Sequence, residues 1–245
     1  GNTVEYTVTS GGQQINASPT YNILKLDNSS GTDTVSTNLS TGTLITTSGG
    51  TLNLATSTLT VTTATGSAGT ITTQNTGTAP ISSGVSWGGT VNYNGTSNQN
   101  IITGTYTSLS SGGGTDTNTV YGGDITVSGT LTIASGTTFS FGTTARTVTL
   151  SGTGANTLVN NNIIDMSGNN AAHYLKIAAS SIATFGTLTN GSGNTVEYTV
   201  LSGSQQVNSV TYNHLKLDNS SGTNTVGGNL TVNGTFTTTA GGTLN

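Results

Sequence analysis

Six aspartates, Asp27, Asp33, Asp116, Asp124, Asp165 and Asp218, and a single arginine, Arg146, are the residues through which this 245-residue chain could act as an acid, a base or an anion clamp. Proton transfer to a reacting group needs paired carboxylates, or an acid beside a base, within a few residues or on adjoining elements. The aspartates are scattered, and Arg146 in "TARTVTL" has no acidic neighbour in sequence. The segment "LDNSSGTDT" from Leu26 places Asp, Asn and Ser oxygens around a glycine turn, the donor set of a calcium loop. Its second copy carries Asn224 where the first has Asp33, and no glutamate closes either loop. A turn held by Asp and Asn side chains is the favoured reading. His173 and His214 each stand alone, and His214 occupies a position where the other copy has Ile23, so neither is assigned as a ligand. Trp87, Tyr6, Tyr93 and Tyr198 read as packing residues rather than as a sugar-binding platform. No catalytic, cofactor-binding or metal-ligating residue is assigned, no cofactor is implied, and the chain is not expected to be an enzyme.

Two further patterns concern the surface. Thr-x-Thr triplets begin at Thr58, Thr70, Thr130, Thr147 and Thr187. Stacked in register they would form flat threonine ladders of the kind that can order water as an ice-binding face, although threonine is also the ordinary outward residue of a β-rich chain. Sequons for N-glycosylation occur at Asn16, Asn28, Asn38, Asn94, Asn190, Asn219, Asn229 and Asn233, which permits glycan attachment in a chain rich in these residue types.

The elements that must position these groups follow from composition. Charged residues make up 5% of the chain, against the usual quarter, and the net charge is −4. Only Lys25, Lys176, Lys216 and Arg146 are basic, too few and too dispersed to neutralise a phosphate backbone, so no nucleic-acid partner is expected. No apolar run approaches a membrane span, and no membrane insertion is expected. There is no cysteine, so stability must come from backbone ladders and a core. Thr, Val and Ile recur in short alternating runs such as "TVEYTV", where Val4, Tyr6 and Val8 share one side. The same alternation pairs Leu24 with Leu26, Leu52 with Leu54, Leu59 with Val61, Val91 with Tyr93, Ile125 with Val127, Leu131 with Ile133, Phe139 with Phe141, and Val148 with Leu150. No segment has helical apolar spacing, so the chain is predicted to be all-β.

The sequence also repeats itself. "GNTVEYTV" at Gly1 returns at Gly193, and residues 1–53 align with 193–245 at 38 identities, a period of about 192 residues. A weaker related unit spans 88–142, where "GGTVNYNGTSNQNI" follows the scheme of the opening and "GGDITVSGTLTIASGT" that of "GGNLTVNGTFTTTAGGT" from Gly227. Two architectures suit such a pattern: tandem Ig-like β-sandwiches, and one continuous parallel β-solenoid over residues 1–245. Strands with two inward residues and few aromatics favour the solenoid, with Gly and Asn at its corners. About 20 residues per coil gives about 12 coils and a rod about 60 Å long, right-handed by the usual crossover preference.

The runs "GTVNYNGTSNQNIITGTYTSL" and "TNTVYGGDITVSGTLTIASGTTFSFG" between Gly89 and Gly142, with "TYNHLKLDNSSGTNTVGGNLTVNGTF" from Thr211, resemble the repeats of very large bacterial secreted or cell-surface β-helical proteins, adhesin-like or matrix-like, of the Bacteroidetes type and similar to autotransporter passenger repeats. The resemblance covers nearly all of the chain except 152–190. It implies an extracellular or cell-surface location and a structural role as a segment of a fibre, matrix or adhesin stalk. The expected partners are copies of the chain stacked end to end or adjoining repeats of a longer chain, because the sequence begins and ends within one repeat. The alternative is an adhesin module that binds a glycan or a cell surface.

Overall fold

The computed structural model describes residues 1–64, 66–239 and 242–245. Every strand pairing in it is parallel, and each joins a segment to one about 20 residues further on: Val4 to Leu24, Thr51 to Thr70, Val196 to Leu215. Ig-like sandwiches are built from antiparallel strands, so the pairing excludes them. The chain is a β-solenoid of about 12 coils, and no α-helix occurs among the described residues.

Each coil has three short faces joined by corners. The first face stacks Thr3–Tyr6 on 23–26 and 43–46, and further along stacks 85–87, 104–106, 125–127, 148–150, 175–177, 196–198, 215–217 and 236–238. A second face runs through Thr32–Val35, Thr51–Asn53, Thr70–Thr73, 90–93, 108–111, Leu131–Ile133 and Leu158–Asn160. The third includes 99–102, 118–121, Thr138–Ser140, Ile163–Met166 and Thr187–Asn190. Gln99–Ser111 is long because it turns a corner without losing its ladder, shifting register between Ile102 and Gly104.

The alternation read from the sequence decides what lies inside. Leu24, Leu26, Leu52, Leu54, Leu59, Val61, Val91, Tyr93, Ile125, Val127, Leu131, Ile133, Phe139, Phe141, Val148 and Leu150 are all buried. Parallel stacking sets like over like, so Ile125, Val148, Leu175, Val196 and Leu215 form one continuous apolar column. Each such side chain contributes about 1.5–3 kcal/mol by leaving water.

Corners set the coil length. Where the first face turns into the second, Gly31 lies so close over the preceding coil that a Cβ would stand 1.4 Å from the Gly11 carbonyl oxygen; at Gly222, in the second copy, it would stand 1.7 Å from that of Gly203. Gly, rather than a turn residue in general, is required there. In 152–190 the corners carry longer loops and a 3-10 turn at Gly168–Asn170, and one coil stretches over the 27 residues from Val148 to Leu175. That added loop sequence is why the repeat fades in this stretch.

The weaker repeat unit also has a geometric origin. Val4 and Tyr6 lie on the first face, but their counterparts Val91 and Tyr93 lie on the second; Leu230–Val232 lies on the third face, whereas its counterpart Ile125–Val127 lies on the first. The unit 88–142 is therefore the same module entered one face later. A three-faced coil permits this because each face asks for the same apolar alternation.

Candidate functional site

Acidic and basic side chains are unevenly spread, with none between Asp33 and Asp116, and several of the aspartates and asparagines hold corners. Asn28 donates from Nδ2 to the Gly11 carbonyl (2.8 Å) and to Asp33 Oδ1 (3.1 Å), while its Oδ1 accepts from the backbone of Ser30 and Gly31. Asn219 repeats this with Gly203, Asn224, Ser221 and Gly222. The "LDNSSGT" loop is thus filled by its own hydrogen bonds, and replacing Asp33 by Asn224 leaves them in place. Asp116 accepts from Thr137 Oγ1 at 2.8 Å, Asp124 from the Thr147 backbone at 2.8 Å, and Asp165 from Ser167. Among the described residues no three His, Asp or Glu side chains converge as metal ligands.

The aromatics form a motif that the sequence did not disclose. In three places two tyrosines and one backbone residue close a ring of hydrogen bonds. The Asn208 N–H donates to the Tyr198 hydroxyl (3.0 Å), the two hydroxyls of Tyr198 and Tyr212 meet at 2.9 Å, and Tyr212 donates back to the Asn208 carbonyl at 2.7 Å. Tyr93, Tyr106 and Ile102 make the same ring, as do Tyr6, Tyr21 and Asn16. A glutamine anchors the adjoining corner each time: Gln13 accepts from Val8, Gln205 from Val200 and Gln99 from Gly95. Burial pushes the phenols of Tyr93 and Tyr198 up to about 12, so these two hydroxyls keep their protons.

Because two of the rings, those of Tyr6 and Tyr198, recur in closely similar sequence but different surroundings, they give an internal comparison. Tyr198→Phe should cost about 2 kcal/mol, since it removes a buried hydroxyl and leaves the half-buried Asn208 N–H without an acceptor. Tyr6→Phe, at a half-buried ring that water can reach, should cost under about 1 kcal/mol. Chemical denaturation of both variants measures the difference.

The two histidines differ in their surroundings. His214 does lie outside with Lys216, and its Nδ1 accepts from the Thr235 backbone at 2.8 Å. His173 is fully buried, its ring edge-on to Phe141 with centroids 5.4 Å apart, and its Nδ1 accepts from the Arg146 backbone at 3.2 Å. Its place on the inward side, two residues before Leu175, was the available signal. Desolvation lowers its pKa below 6.5; the Gly168 and Gly142 carbonyls and Asp165 oppose the shift, and Arg146 adds to it. The unfolded chain therefore binds a proton below pH 6.5 that the folded chain resists. Stability should be complete above that pH and fall as pH drops below it, a slope that His173→Gln should abolish in denaturation midpoints taken at several pH values.

Outer ladders complete the inventory. The five Thr-x-Thr triplets do not share a ladder: Thr60 lies on the third face beside Ser40, Thr149 on the first beside Thr126, and Thr189 on the third beside Asp165. A different set stacks instead. Thr32, Thr51, Thr70, Thr90 and Ser108 occupy successive coils of the second face, and Thr130 follows in the same column. On the first face Lys176, Glu197 and Lys216 stack in one column, and Glu5 over Lys25 repeats part of it.

Exposed large apolar side chains occur at both terminal coils and also along the rod, at Tyr121, Tyr174 and Leu201. Val4 is 42% exposed and its duplicate Val196 1%. Val8, Phe236 and Leu244 are likewise exposed. Several shallow depressions lie along the rod, such as one lined by Thr153, Ala178, Ser180 and Leu201, whose lining holds no acidic or basic side chain. Among the described residues no helix is long and apolar enough to cross a membrane. Compared with protein-family models, with curated proteins and with solved structures, the chain matches none.

Proposed function

We propose that this chain is a structural segment of an extracellular fibre, matrix or adhesin stalk, extended by stacking further coils on its ends. The observation that carries the reading is the run of parallel coils from Thr3–Tyr6 to Phe236–Thr238. Such a rod gains rigidity from backbone pairing between coils and from a thin apolar core. Its surface, nearly free of charge, suits close lateral packing, and the resemblance to bacterial surface repeats supports an extracellular location.

The duplication supplies the test. Residues 193–245 repeat 1–53, so a chain of 1–192 followed by 1–245 joins without a foreign junction. From Val4 to Val196 the first face advances nine coils, and at about 4.8 Å each the extended rod should be about 43 Å longer and unbent in electron micrographs. Two rods joined at a hinge would sink the stalk reading.

A second reading, contact with a hydrated solid such as ice or an insoluble polysaccharide, is favoured by the uncharged hydroxyl column from Thr32 to Thr130. Adsorption of the rod should then be lost in Thr70→Lys with Thr90→Lys. Equal adsorption by the variant would remove it.

A further inference from the structure

The first coil and the tenth share the sequence "GNTVEYTV" but not their surroundings, and the difference identifies what fits the open face of the first. At the tenth coil Glu197 lies between two lysines, with Lys176 Nζ at 3.6 Å from one side and Lys216 Nζ bonded from the other. Its side chain is 6% exposed. Val196 and Tyr198 on either side of it are covered by Leu175 and Ile177 of the preceding coil. At the first coil Glu5 has Lys25 below it, as Glu197 has Lys216, but no chain above, and its side chain is 38% exposed. The same residues that need a lysine-bearing coil at one end of the duplication lack one at the other.

We propose that the open face of the first coil is a docking site for a coil of the 174–192 type, with a strand reading apolar, lysine, apolar that sets its ammonium over Glu5 and its two apolar residues over Val4 and Tyr6. This rests on the stacking reading above and names the partner. The last coil of a second copy fits less well. It presents Phe236, Thr237 and Thr238 on the corresponding face, which covers the apolar residues but adds no second cation to Glu5 beyond Lys25. Enclosing Glu5 with Lys25 alone leaves its second oxygen without a charged partner, whereas Glu197 has a lysine on each oxygen, Lys216 on Oε1 and Lys176 on Oε2. The face therefore discriminates between coils by charge, and the adjoining repeat rather than an identical end is the matched occupant.

The natural duplication gives a direct experiment. Residues 172–192 placed ahead of Gly1 of the full chain recreate the junction of 192 with 193. Hydrogen exchange at the amides of Val4, Glu5 and Tyr6 should slow by about 100-fold as the added coil orders and closes the face. The same extension carrying Lys176→Glu should leave exchange within about tenfold of the unextended chain. Equal slowing by both extensions would overturn the charge-selected partner while leaving coil stacking intact. No slowing by either would overturn both. Slowing in the unextended chain with rising concentration, to the level reached with the lysine extension, would show that a second copy suffices and would also overturn the proposal.

Discussion

Replacing Gly31 by alanine should destabilise the rod by about 3 kcal/mol, more than deleting most surface side chains. The new Cβ would stand 1.4 Å from the Gly11 carbonyl oxygen, and that oxygen belongs to the backbone of the neighbouring coil, so no side chain can swing away to relieve the contact. The two coils must part at that corner, which weakens the bond from Thr51 N–H to the Gly31 carbonyl (2.9 Å) and exposes the buried Asn28. Gly11→Ala is the control. Gly11 has a φ of +87° with open space around its Cα, so an alanine there should cost about 1–2 kcal/mol from backbone strain alone. Denaturant titration of the two variants separates close approach from conformational preference; equal costs would contradict the corner geometry.

Trp87→Ala should cost about 4 kcal/mol. Trp87 is buried, stacked in register on Tyr106 of the next coil, and it is the largest side chain of the core. In a rod where each coil touches only its neighbours, the cavity cannot be shared across a globular interior. Amide protection should therefore drop sharply in residues around 85–111 and stay unchanged beyond about two coils in each direction, as hydrogen exchange would show. A uniform loss along the whole chain would mean that the coils do not behave as nearest-neighbour units.

Much of the architecture was legible because a β-solenoid writes its core in period-two alternation. The inward pairs named from sequence are buried, and the exceptions, Val4, Tyr6 and Val8, lie on an uncovered end where alternation cannot say that a neighbour is lacking. Which face a strand occupies was not legible, because corners vary in length. Thr70 and Thr130 share a column with Thr51 and Thr90, whereas Thr58, Thr147 and Thr187, with the same local motif, turn onto other faces. The tyrosine rings escaped notice for a similar reason, since Tyr198 and Tyr212 meet only when two faces of one coil close. The charge ladder did leave a trace. Glu5 and Lys25 are 20 residues apart, one coil, and Glu197 and Lys216 are 19 apart, so pairing opposite charges at the coil period would have found it.

The chain lacks cysteine, so pairs of introduced spin labels report single distances, and they test the continuous coil most directly. Outward positions on the second face provide the ruler: Thr34, Ser110, Thr132 and Val159 lie in one column, with Ser110 four coils, Thr132 five and Val159 six beyond Thr34. Labels at Thr34 and each of the other three should stand about 19, 24 and 29 Å apart, lengthening by one coil rise at every step. Distances that level off or shorten between Ser110 and Val159 would mean that the chain folds back into separate units, and the solenoid account would be wrong.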